Sequence, residues 1–160
     1  MAGVSKVELR SAADRFAAVA RRYCEWAEAF PTDADQDLVV ARELLAELHL
    51  AVLRLPDDCL SSESPDGLVN AEEWKQRYAR FEALPVKSYW KVFDALVLEE
   101  PVFNTLADDL SDIWRDVKEG LLLYESGEFE EAVWEWRFNY EIHWGRHLLG
   151  AQYAIYSYLS

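Results

Sequence analysis

Apolar residues recur at three- and four-residue steps along most of the chain, and proline ends several of the runs. In residues 6–30, Phe16, Val19, Tyr23, Trp26, Ala27 and Phe30 make one stripe, the pattern of a helix that buries one face. Pro31 stops it, because the ring removes a backbone donor and clashes with the preceding turn. A second helix is predicted over 34–55, with Asp33 as its N-cap. Leu38, Ala41, Leu45, Leu48, Val52 and Leu55 keep step there until Pro56. Residues 57–69 are rich in Ser, Asp, Pro and Gly and read as a polar surface loop. A third helix follows over 71–84, with Asn70 and Glu73 at capping-box spacing, Trp74, Tyr78 and Phe81 inward, and Pro85 as its stop.

The next stretch, "VKSYWKVFDALVLEEPV", is less regular. It predicts a short helix over 88–96 and an extended piece into Pro101, with a short strand as the alternative. A further helix starts after Asn104 or Thr105, carries Asp108 where the helix dipole favours an acid, and runs to Tyr124. Residues 125–127 form a tight turn. The last helix spans 128–158, with a kink expected where Gly145 and Gly150 weaken it. The fold class is all-α: one domain over 1–160, a bundle of five or six helices ending in an antiparallel αα-hairpin.

On a wheel at 100° per residue the last helix carries rings on two sides. Trp134, Phe138, Ile142, Leu148, Leu149 and Tyr156 lie on one side with Glu141. Trp136, Tyr140, His143 and His147 lie on the other, and Arg137 and Trp144 fall at the boundary. A helix apolar on two faces is expected at the centre of the bundle. In the preceding helix, Asp109, Asp112 and Asp116 share one edge beside the stripe Leu106, Leu110, Ile113, Val117 and Leu121. Counting outward from the short turn sets Asp109 against His143, Asp112 against Glu141 and Asp116 against Arg137. Gly120, Gly127, Phe129, Ala132 and Trp136 match the spacing of a tetratricopeptide unit. With no second copy, an ordinary αα-hairpin with a close approach is the preferred reading.

The stretches "ADDLSDIWRDVKEGLLLYESG" then "WEWRFNYEIHWGRH", and "YWKVFD" then "EEPV", resemble the bacterial domain-of-unknown-function family numbered 5063. The resemblance implies an all-α bacterial domain of similar length and implies no activity. Its motif positions are Asp109, Asp112, Arg115, Asp116, Trp136, Arg137, Glu141, His143, Trp144 and His147.

Charge narrows the function classes. A net −14 repels phosphate backbones and anionic membrane surfaces, and no apolar run approaches the roughly 18 residues a membrane span needs. It suits a basic protein partner. Cys24 and Cys59 are far apart and no apolar leader is evident, so reduced thiols in a cytoplasmic protein are expected. No Walker, Rossmann or G-x-S-x-G pattern occurs, so neither a cofactor nor a nucleophile is indicated.

At the seam, His143 and His147 are spaced to bind one metal ion, with Asp109 and Asp112 adding oxygens. The blander expectation is histidines hydrogen-bonded to aspartates. Arg137 reads as an ion pair with Asp116 or Glu141. Asp112 and Glu141 are candidate paired carboxylates, which Arg115 and Arg137 would equally bridge. Tyr153, Tyr156 and Tyr158 suit a frayed end or a homodimer contact; monomer and homodimer both stay open. The preferred function is a non-enzymatic acidic domain that binds another protein, an immunity protein against a basic toxin being one form. The alternative is a small-ligand or metal site, with possible enzyme activity, between the last two helices.

Overall fold

A computed structural model describes residues 3–57 and 67–160; most of the 57–69 connector, with Cys59, lies outside the described residues. The elements are α1 (Lys6–Glu28), α2 (Ala34–Leu53), α3 (Ala71–Phe81), β1 (Ser88–Lys91), β2 (Val102–Thr105), α4 (Leu106–Glu125), α5 (Phe129–Asn139), a π-helical turn (Tyr140–Trp144) and α6 (Gly145–Leu159). The fold is mostly all-α, and the helix boundaries follow the local chemistry. Ser5 and Glu8 form a reciprocal capping box at α1, and the side chains of Asp33, Asn70 and Thr105 accept from backbone N–H groups of α2, α3 and α4.

The short helix expected over 88–96 is not present. β1 and β2 pair antiparallel, with Tyr89 opposite Asn104 and Trp90 opposite Phe103. The stretch alternates in burial, Tyr89 and Lys91 facing inward while Ser88 and Trp90 face out, and period two overrides the helical reading. A Trp90–Phe103 edge contact at 6.0 Å ties the outer face.

The central helix is α4, a correction to the expectation for the last helix. Leu106, Leu110, Ile113, Trp114, Val117 and Leu121 are all buried among residues of α1, α3, α5 and α6. In the last helix, Trp136, Trp144, Leu148 and Ala151 are buried, while Phe138, Ile142, Leu149 and Tyr153 stay exposed. The π turn is the reason: an extra residue in the turn breaks the 100° phase, so one wheel drawn through 128–158 mixes an inner and an outer face. The hairpin turn closes with Glu128 N–H donating to Leu123 O and Gly127 N–H to Tyr124 O. Just before it, Gly120 packs against the Trp136 indole, whose N–H donates to Val117 O at 2.9 Å.

Three helices are pinned by one buried ion pair. Arg80 of α3 donates to Asp37 of α2 at 2.9 Å and to the Trp26 carbonyl of α1 at 3.1 Å, and the Trp26 indole N–H donates to Asp37 at 3.1 Å. Because the Arg80 and Asp37 side chains are only 6% and 11% exposed, removing one partner strands the other charge. Arg80→Met should lower unfolding stability in urea by about 3–5 kcal/mol, and adding Asp37→Leu should recover part of that loss.

Candidate functional site

The aspartate edge of α4 and the imidazoles around the π turn form one cluster. His143 Nδ1 is 2.5 Å from Asp116, and His147 Nδ1 is 2.8 Å from Asp109. The far nitrogens converge on one carboxylate: Asp112 Oδ2 lies 3.2 Å from His147 Nε2 and 3.6 Å from His143 Nε2. The two rings stand edge to face, 4.9 Å apart. Arg115 reaches Asp112 at 3.1 Å and Asp116 at 3.6 Å, and the Trp74 indole N–H donates to Asp112 at 2.9 Å.

These contacts sit about one helical turn beyond the register counted from the sequence. Asp109 meets His147 in place of His143, Asp116 meets His143 in place of Arg137, and Asp112 meets both imidazoles in place of Glu141. Two causes act together. Helical side chains lean toward their own N-terminus, so those of α4 lean away from the hairpin turn and those of the antiparallel helix lean back toward it. The π turn then adds a residue on one side only. Gly145 permits that turn: its N–H donates to Tyr140 O, and a Cβ there would meet the same carbonyl at 2.4 Å.

The remaining motif residues serve elsewhere. Trp136 and Trp144 are fully buried, and the Trp144 indole N–H donates to Trp136 O at 3.0 Å, so both are core. Arg137 pairs with Glu141 at 2.9 Å on the same helix, apart from the cluster, which removes the Asp112–Glu141 carboxylate pair.

The β-hairpin supplies site residues that the helical reading of 88–96 hid. Asp109, 0% exposed, accepts from the Tyr89 hydroxyl at 2.5 Å and from Asn104 Nδ2 at 2.7 Å. Lys91 Nζ lies 4.0 Å away. Tyr89 reaches inward past α6 only because residue 150 is glycine; a Cβ there would stand 2.3 Å from the Tyr89 hydroxyl oxygen. A glycine in mid-helix was the available signal, and it marks a close approach rather than a kink. Between the hairpin and α6 opens a groove of about 810 Å³, walled by Trp90, Phe93, Phe103, Ile142, Leu149 and Tyr153, with His143 and His147 on its lining.

The electrostatics are those of crowded carboxylates. Burial pushes Asp112 up, yet His143, Arg115, His147 and Trp74 outweigh it and hold the carboxyl below its ordinary range. Asp108 is raised by burial and by the neighbouring Asp112 charge. Asp112 and Asp116 push His143 up to about 9 against the cost of burial; Asp116 is the direct hydrogen bond, and Asp112 acts as a nearby charge. Burial pushes the Tyr89 hydroxyl well up, with Asp109 adding to it, so Tyr89 stays a donor. Burial also pushes the Cys24 thiol up, which leaves it unreactive.

A family model described as "Domain of unknown function (DUF5063)" matches residues 7–160. The chain is similar in fold to the crystal structure of protein BF1032 from Bacteroides fragilis, with a TM-score of 0.73, 19% identity and 89% of each chain covered. No curated protein matches the chain. No helix among the described residues is long and apolar enough to cross a membrane.

The His143 shift has a definite sign. The folded chain holds a proton on this ring up to about 9, whereas the unfolded chain releases it near 6.5. The stabilisation is complete below the unfolded value and is lost as pH rises through about 9. The ring is 36% exposed, so solvent screens part of the effect. The urea midpoint should fall across this window, and His143→Gln should flatten the slope. By NMR, the His143 ring should titrate well above an ordinary histidine.

Proposed function

We propose, for a chain that belongs to the DUF5063 family, that it is a small-ligand-binding protein holding a divalent transition-metal ion on the floor of its aromatic groove. The observation that carries this reading is the division of labour between the imidazole nitrogens. Each Nδ1 is tied to its own carboxylate, Asp116 or Asp109, while both Nε2 atoms converge on Asp112. Outer carboxylates that fix the histidine tautomer and orientation are the habit of metal sites. Two imidazoles and one carboxylate are the donor set of zinc and non-haem iron(II) centres. Ligand atoms about 2.0–2.2 Å from an ion stand roughly 3–3.5 Å from one another, close to the separations found here. Three protein donors leave positions for water or for a ligand in the groove, which His143 and His147 both line. The Asp108, Asp109 and His147 donors beside them are close enough to hold an ion as well.

A second reading, a protein partner, draws on a different observation. Beyond the strands the hairpin exposes Leu96, Val97 and Leu98, two of them almost completely, and the chain is strongly acidic. A basic partner with an apolar contact would suit both features. In pull-downs at low and high salt, Leu96→Ser with Leu98→Ser should release such a partner and leave metal binding intact.

The metal reading is tested on chain stripped with EDTA and titrated calorimetrically with zinc(II), and with iron(II) under nitrogen. The expected result is one ion per chain at micromolar affinity or tighter. His147→Ala should abolish it, and Asp116→Asn should weaken it by about 10–100-fold, with the helical circular dichroism retained. An absence of heat at micromolar metal, or binding unchanged in His147→Ala, would overturn it.

A further inference from the structure

We infer that the groove between the hairpin and α6 selects an aromatic anion, a ring-bearing carboxylate, with Arg146 as the residue that reads its charge. This rests on the ligand-binding reading above and adds the ligand's chemical class. The volume of about 810 Å³ falls among pockets that enclose a small organic molecule. Its walls are rings and branched aliphatic side chains, so a flat apolar body fits between the hairpin and α6.

The charge on the lining is the opposite of the rest of the chain. The protein carries a net −14, yet the cations Lys91 and Arg146 both line this one groove. Arg146 makes no ion pair among the described residues; its guanidinium carbon lies over the Phe93 ring, 4.1 Å from the centroid. A guanidinium held over a ring with no carboxylate partner keeps its N–H donors available, which suits two-point recognition of an incoming carboxylate. Lys91 lies 4.0 Å from buried Asp109, a separation longer than a direct hydrogen bond. An anion entering the groove therefore meets one guanidinium and one ammonium beside the imidazoles. A cationic ligand of the same shape would face both of those charges.

Three naphthalene probes of similar size separate shape from charge: 1-naphthoate, 1-naphthalenemethanol and 1-naphthylmethylamine, each titrated calorimetrically into full-length chain with EDTA and again with zinc(II). The expected order is naphthoate over the alcohol by about tenfold or more, with the amine weakest. Arg146→Gln should erase the preference for naphthoate and leave the alcohol unchanged, while Phe103→Ala should weaken all three. Equal binding of the three probes, no binding of any under either condition, or a preference that survives Arg146→Gln would overturn the assignment. The metal reading fails or stands separately: naphthoate preference without zinc binding sinks only the metal, and zinc binding without naphthoate sinks only this inference.

Discussion

A carboxylate with no solvent contact has to find its donors inside the protein, and Asp109 is such a group. Its donors come from three elements: Tyr89 on β1, Asn104 on β2 and His147 on α6. A two-stranded hairpin is marginal on its own in water, and this one turns Trp90 and Phe103 outward. Its inward face is fastened through Tyr89 and Asn104 to one buried oxygen pair. Displacing Tyr89 would cost the hairpin its anchor and leave Asp109 short of a donor. The groove opens between the hairpin so fastened and α6.

The π turn is the second condition. A straight helix would carry the buried face of α5 on at 3.6 residues per turn, and the imidazoles would point along a different line. Widening one turn at Tyr140–Trp144 lets Trp136 and Trp144 both enter the core while His143 and His147 reach the Asp112 carboxylate. Such turns weaken local hydrogen bonding and persist where the surroundings compensate. Here the compensation is visible in the Trp144 indole bond to Trp136 O and in the fit of Gly145 against Tyr140 O.

How far the sequence could be read depended on the range of the interaction. Helix boundaries follow from caps and prolines, which act within a few residues. Asp33, Asn70 and Pro31 were therefore legible, as was the Asp109, Asp112 and Asp116 edge, which needs only the helical period. The partners of that edge were not, because the pairing register depends on side-chain lean and on a π turn that no composition signal announces. The hairpin was misread for a related reason. Its alternation spans only four residues a strand, and the contact that rewards it, Tyr89 to Asp109, crosses twenty positions. Gly150 was visible throughout, yet its purpose appears only once Tyr89 lies across it.

The ion-pair network and the proposed metal site draw on the same crowding of charge. Asp108, Asp109, Asp112 and Asp116 crowd one edge of α4, and among the described residues the only guanidinium bridging two of them is Arg115. Carboxylates packed at this density need positive charge from somewhere. In the metal-free chain the nearest source is a proton on His143, which explains the direction of its shift. A divalent ion between the Nε2 atoms would displace that proton and supply twice the charge at the same place. On that proposal, the proton and the ion would answer one electrostatic deficit. His143 on the π turn and His147 on α6 both line the groove, so an ion held between them, as proposed, would stay open to a ligand there.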